Sequence, residues 1–320
     1  MPIVKSNYKS PFLYFNHHLE TIIPALFRIV TDVYYERERI YTPDDDFLDL
    51  DWVKNNNNKL VIICHGLEGS SDRPYMMGMA KIFANNSFDV LTWNFRGCSG
   101  EVNWQPRAYH SGATEDLQAV VQHAINQGYN NISLIGFSLG GNLVLKYIGE
   151  NGNKLDKRIK KGVGISVPLH LHSSCIEISK FHNIMYEKRF LQNLKKKVKI
   201  KSHIMPNALS TNGISKVNTI IDFDDKYTAP IHGYKNALDY YEQCSSVNFL
   251  ESISIPTLII NAKNDSFLSK ECYPIEIAKT HQYVYLEMPE KGGHCGFPSK
   301  NKDGYYWSEQ RVLSFINANL

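Results

Sequence analysis

The chain has 320 residues, 43% hydrophobic and 21% charged, enough for a globular protein with a large buried core. A formal charge of +3 is too mild to call for a nucleic-acid partner, and the apolar stretch at residues 22–30, broken by Pro24 and Arg28, falls short of the ~20 residues that span a bilayer. The six cysteines are far apart, never form C-x-x-C and follow no secretory signal, so free thiols in a reducing cytoplasm are expected.

In chain order, the first segment places Phe12, Leu13, Phe15, Leu19, Ile22, Ile23, Leu26 and Phe27 near helical spacing. Packing over the core is the expected use of that face, and contact with a lipid surface is the rival. Strands follow at residues 47–53 and 59–64, separated by the asparagine-rich turn 55–58. A helix is expected at 74–84, a strand at 88–93, a helix at 114–126 with Ser111 as its cap, a strand at 132–136 and a helix at 139–149. The strand at 162–167 is followed by an aromatic, basic and helical stretch, residues 168–228, which breaks the alternation and reads as an insertion capping the sheet. The rhythm resumes with a helix at 231–242, strands at 257–261 and 283–287 and a last helix at 305–319. Alternation of this kind predicts an α/β fold, with a mostly parallel central sheet flanked by helices. The domain plan is a core from 1–167 and 229–320 around a helical cap at 168–228. Lys195, Lys196, Lys197, Lys199 and Lys201 are expected on a solvated face of a cap helix.

The chemistry concentrates at strand ends. Gly136-Phe137-Ser138-Leu139-Gly140 is a G-x-S-x-G run between an apolar strand and a helix. A nucleophile in so sharp a turn needs neighbours without bulky side chains where backbone and helix approach. The letters alone are weak evidence, and the strand before and helix after strengthen them. A serine hydroxyl also needs a base and a group that orients the base. Asp265 and His294 follow later strands in the order Ser, acid, His, and His294 lies in the glycine-rich run Gly292-Gly293-His294-Cys295-Gly296. The N–H groups of Leu139, directly after the nucleophile, and Leu67, in the loop His65-Gly66-Leu67-Glu68-Gly69, are the candidate oxyanion donors. His65 is expected to brace that loop, and Arg96 to act as a structural hub. Neither His170-x-His172 nor His17-His18 has a partner at metal-ligand spacing, so no metal or cofactor is called for.

At these residues the chain resembles the YheT-like branch of the α/β-hydrolases, which includes the ABHD lipases and the fungal medium-chain ethyl ester synthases and esterases. The resemblance rests on HGLEGSS from His65, NFRGCSGE from Asn94, HSGATEDL from His110, GFSLGGNLVLKYIGE from Gly136, YTAPIHGY from Tyr227, IPTLIINAKNDSFLS from Ile255 and GGHCGF from Gly292. It implies an α/β-hydrolase fold, a triad of Ser138, Asp265 and His294, and a small-molecule or lipid acyl ester as substrate. In this branch the acid loop often reads Asn-Asp-Pro, whereas Ser266 follows Asp265 here. Transfer of the acyl group to an alcohol instead of water, and a peripheral membrane lipase, are the alternatives that keep the triad; a non-catalytic binding protein on the same scaffold is a rival of another kind. In the cap, Met185 and Phe190 are the residues expected to meet the acyl chain.

Overall fold

The computed structural model describes residues 3–299 and 303–319. Its elements are β1 (Ile3–Val4), α1 (His17–Phe27), β2 (Glu36–Thr42), β3 (Asp46–Val53), β4 (Lys59–Cys64), α2 (Pro74–Ala84), β5 (Asp89–Asn94), α3 (Thr114–Asn126), β6 (Asn131–Phe137), α4 (Leu139–Asn151) and β7 (Ile159–Ile165). After these come α5 (Leu171–Ile178), α6 (Ile184–Ile204), α7 (Ile220–Phe223), α8 (Ala229–Ile231), α9 (Ala237–Cys244), β8 (Thr257–Ile260), α10 (Ile275–Thr280), β9 (Val284–Glu287) and α11 (Trp307–Asn317). The described strands form one nine-stranded sheet in the order β1-β9-β8-β7-β6-β4-β5-β3-β2, parallel except for β3 against β5 and β2 against β3. This is the α/β architecture expected from the alternation of strands and helices.

Strand periodicity explains the two-sided core. On β4, Leu60, Ile62 and Cys64 join a cluster with α3 and α4, while Val61 and Ile63 join one with α2 and α11. Both sets are fully buried, so the strand reads as a continuous apolar run. The edge strand β2 has another logic. Its Glu-Arg-Glu-Arg start has no apolar alternation and gave no strand signal, but Arg37 lies opposite Asp51 and Arg39 opposite Asp49. Each arginine grips its aspartate through two bonds of 2.7–2.9 Å.

Three local expectations need correction. Ser111 does not cap α3: Ala113 holds that position without a side-chain bond. The Ser111 backbone instead receives Asn142 Nδ2 at 3.0 Å and donates to the Tyr240 hydroxyl at 2.9 Å. The helix expected at 231–242 is interrupted, because Gly233 adopts φ +79° between α8 and α9. The N-terminal face does not pack as its apolar spacing suggests. Phe12, Leu13, Phe15 and Phe27 are 71–93% exposed, and the buried residues of α1 are Glu20 and Pro24.

Between β7 and β8 the chain leaves the sheet for residues 166–256. The stretch 168–228 supplies α5, α6, α7 and a π-helical turn at Asp224–Thr228. Its apolar residues, among them Leu191, Val198, Ile220 and Phe223, form a cluster with Phe267 from the loop after β8. Two lysines expected in solvent are tied inward. Lys197 Nζ contacts Glu68 Oε1 at 2.8 Å, and the buried Lys201 ammonium donates to the carbonyls of Gln105, Pro106 and Arg107 at 2.7–3.2 Å. Their long apolar stems let a charge cross the cap and bond below it, whereas Lys196 and Lys199 remain exposed.

Candidate active site

Ser138 stands between the last residue of β6 and the first of α4, with φ +52° and ψ −119°. A positive φ is strained for a residue with a Cβ and persists because the surroundings dictate it. The adjacent glycines show how. A Cβ on Gly136 would lie 2.1 Å from the Gly140 carbonyl oxygen, and one on Gly140 would lie 2.4 Å from that of His65. Strand, helix and the loop after β4 therefore converge on the serine too tightly for any side chain at either position. The spacing of the glycines is a packing requirement of the turn.

The loops after β8 and β9 bring Asp265 and His294 to the serine. Ser138 Oγ is 2.9 Å from His294 Nε2, and His294 Nδ1 is 2.8 Å from Asp265 Oδ2. With Nδ1–H donated to the carboxylate, Nε2 is free to accept the serine proton. Asp265 Oδ1 accepts the Phe267 N–H at 3.0 Å, and the Phe267 ring stacks on the imidazole with centroids 4.2 Å apart. His294 N–H donates to Thr21 Oγ1 at 2.9 Å, and Cys295 N–H to Ser166 Oγ at 2.8 Å. The Asp265 side chain is buried. Burial pulls the imidazole pKa down, but the Asp265 carboxylate and, after it, the neighbouring Cys295 together outweigh burial and hold His294 above the ordinary histidine value.

Leu139 opens α4, where the first N–H groups have no helical partner. Leu67 lies in the loop after β4, and both residues share a cavity wall with Ser138 and His294. The loop is well braced. Gly66 N–H donates to the Tyr75 hydroxyl at 3.0 Å, and Gly69 N–H to the Gly66 carbonyl at 3.0 Å. His65 bridges Gly66 O at 2.7 Å and the Phe95 N–H at 3.1 Å, and complete burial lowers its pKa to about 3, which keeps it a neutral brace. Glu68 Oε1 accepts the Tyr109 hydroxyl at 2.6 Å as well as Lys197, so a cap helix is tied to the residue next to Leu67. Arg96 is the hub expected of it: buried, it pairs with Asp46 at 2.7 Å, with Asp116 at 2.7 Å and with Asp44 at 2.9 Å.

Two cavities meet at Ser138. One, of about 160 Å³, runs under the cap between α5, α6 and α7 and is walled largely by apolar side chains, including Phe190, Leu194, Val198, Ile220 and Phe223. The other, of about 180 Å³, opens between α1 and α6 and carries Arg73 and Arg189 beside Leu26 and Pro24. Phe190 and Phe267 border both. Met185, expected to meet the acyl chain, borders neither cavity: it is 75% exposed, one residue off the inward stripe of Tyr186, Phe190, Leu194 and Lys197. Sequence reasoning missed Phe267, Tyr109, Glu68 and Thr21. Only Glu68 carried a local signal, its place beside Leu67.

A mostly parallel sheet with a strained serine at the end of β6, and an acid and a histidine delivered by later strands, defines an esterase- or lipase-type α/β-hydrolase. The pattern of the family described as serine aminopeptidase, S33, matches residues 55–273. YheT of Escherichia coli (strain K12), named as an esterase, is 35% identical over 313 residues, covering 95% of this chain and 91% of that protein. Phospholipase ABHD3 of Mus musculus is 29% identical over 92% of this chain and 74% of its own length. The solved esterase Pf2001 of Pyrococcus furiosus shares the fold, with a TM-score of 0.60 at 19% identity over 90% of this chain and 94% of that one. The chain belongs to the YheT-like family of α/β-hydrolases. Among the described residues no helix is long and apolar enough to cross a membrane.

Proposed function

We propose that the protein hydrolyses carboxylic esters with an apolar acyl group through an acyl-enzyme on Ser138. The observation that carries this reading is the unbroken relay from Ser138 Oγ through His294 to Asp265, with contacts of 2.9 and 2.8 Å, at the junction of the two cavities. Ser138 Oγ attacks the ester carbonyl carbon while His294 Nε2 takes its proton, and the Asp265 carboxylate stabilises the imidazolium that forms. The Leu67 and Leu139 N–H groups hold the oxyanion. Collapse of the tetrahedral intermediate breaks the bond to the alcohol oxygen, which leaves with the proton from His294. A water molecule, deprotonated by the same nitrogen, then attacks the acyl carbon and releases the acid and the serine. The cavity under the cap takes the acyl chain, and the one between α1 and α6 takes the alcohol part. An added alcohol that entered there in place of water would resolve the acyl-enzyme by transfer.

Labelling with a fluorophosphonate and turnover of p-nitrophenyl esters test the reading. Ser138→Ala deletes one oxygen, and loss of a triad member typically costs on the order of 10⁴ to 10⁶ in kcat. Neither labelling nor turnover should remain in a folded variant. Retention of more than about a tenth of the activity would remove Ser138 from the mechanism.

A second reading, contact with a lipid surface, is favoured by one observation. Leu26, 53% exposed, borders the outer cavity, and the adjacent Phe27 is 71% exposed. Exposed apolar side chains beside a substrate entrance suit an interface carrying esters. Flotation with phosphatidylcholine vesicles of wild type and Phe27→Ser decides it, since equal failure to float in both removes the idea.

A further inference from the structure

Glu20 has no exposed surface at all, although every other residue of α1 except Pro24 is exposed or half-buried. Its Oε2 accepts two donors, Asn264 Nδ2 at 2.6 Å and the Gly292 N–H at 3.1 Å, while its Oε1 has no partner among the described residues. Asn264 directly precedes Asp265, and Gly292 lies two residues before His294. The two loops are also joined to each other, because Asn264 Oδ1 accepts the Gly293 N–H at 3.1 Å. The next residue of α1 continues the pattern: Thr21 Oγ1 accepts the His294 N–H and donates to His17 O at 2.8 Å. The fit is close, since a Cβ on Gly296 would stand 1.9 Å from the Glu20 carbonyl oxygen.

We propose that Glu20 is the positioning residue of the site, holding the Asp265 loop and the His294 loop at a fixed mutual distance through Asn264 and the Gly292 N–H. These loops leave the paired strands β8 and β9, whose backbone bonding runs on as far as the Lys263 N–H to the Pro289 carbonyl at 2.8 Å; beyond that point the tips are joined through the Asn264 and Glu20 side chains. A helix more than 240 residues earlier in the chain supplies the shared acceptor. A buried carboxylate with an oxygen unpaired is a poor choice for filling space, and an apolar side chain would serve that purpose better. What an apolar side chain could not do is accept from both loops at once. Because a misplacement of about 1 Å can cost on the order of a hundredfold in rate, the acceptor acts on turnover without touching substrate.

The inference rests on the relay of Ser138, His294 and Asp265, so Ser138→Ala is assayed beside the Glu20 variants. Steady-state hydrolysis of p-nitrophenyl butyrate is followed from pH 5 to 9. Glu20→Ala is expected to lower kcat by roughly 10- to 100-fold with KM within about twofold of wild type. The pH midpoint of kcat/KM should fall, as the carboxylate that raises His294 drifts away. Glu20→Gln keeps an amide oxygen in the acceptor position and should stay within about threefold of wild type. Wild-type kcat and midpoint in folded Glu20→Ala, or equal loss in the Gln and Ala variants, would overturn the proposal. If Glu20→Ala fails to fold, Asn264→Ala carries the test, with the same signature expected and wild-type values refuting it. An active Ser138→Ala would instead mean that the relay itself was misread.

Discussion

The contact between Asp265 and His294 gives the site its sharpest quantitative consequence. Replacing Asp265 with Asn keeps the shape of the side chain but removes a charge that is 2.8 Å from Nδ1 and sealed from solvent. With charge centres roughly 4 Å apart and an effective dielectric of about 20, the carboxylate stabilises the imidazolium by about 4 kcal/mol. At ~1.4 kcal/mol per tenfold that is close to three orders of magnitude in the proton-transfer step. The amide can also present its NH₂ group to Nδ1, which favours the tautomer with hydrogen on Nε2 and blocks the base. A loss of kcat of about 10³ to 10⁴ is therefore expected for p-nitrophenyl butyrate, with KM little changed. Asp239→Asn is the control, because the Asp239 carboxylate accepts the Lys235 N–H at the start of α9 and has no place in the relay. Near-ultraviolet circular dichroism checks that both variants fold. A loss under tenfold in Asp265→Asn, or a larger loss in Asp239→Asn, would refute the reasoning.

The remaining predictions concern pH and selectivity. Because Asp265 and Cys295 together outweigh burial and raise His294 above its ordinary value, and the base must be neutral, kcat/KM should increase with pH through a midpoint above ~6.5; a flat profile between pH 5 and 8 contradicts a histidine base. In Asp265→Asn the largest of the influences that raise the imidazole is gone while burial still depresses it, so the midpoint of the residual activity should move to lower pH. Phe190→Ala should alter the ratio of kcat/KM between butyrate and laurate esters, at about 1 to 3 kcal/mol per methylene newly gained or lost by the pocket, whereas the exposed Met185→Ala should leave it alone. An unchanged ratio in folded Phe190→Ala would place the acyl chain elsewhere.

What could be read from the sequence was what local sterics and chain order impose. Gly136 and Gly140 were legible because a Cβ at either position would collide with backbone, leaving a fixed spacing of residues around Ser138. Asp265 and His294 were legible because each lies directly beyond a buried strand, where a parallel sheet presents its reactive groups. The strand β2 was not, since its charges find their partners one strand away and its composition resembles a solvated loop. The reading of Ser111 failed for a related reason: a serine ahead of a helix is a common cap, and only the packing of Asn142 and Tyr240 takes its backbone for another use.

The lysines of α6 and the carboxylate of α1 carry that argument further. A run of five lysines within seven residues looks like a solvated face, and three of its positions give no reason to think otherwise. Lys197 and Lys201 differ because the chain segments beneath them offer acceptors, Glu68 for one and three successive carbonyls for the other. Glu20, in turn, breaks an apolar periodicity that promised a packed helix, yet it and Pro24 are the residues of α1 that are buried. In each case the informative residue violates its local pattern, and its partner lies from about 90 to more than 270 residues away. Local pattern reports which face of an element is apolar, but a buried charge is placed by whatever it bonds. Such residues couple parts of the chain that have no covalent reason to stay in register: the cap to the loop bearing Leu67, and the acid loop to the histidine loop. The groups that set the geometry of the relay are thus the least visible in a one-dimensional reading, while the relay itself is the most visible.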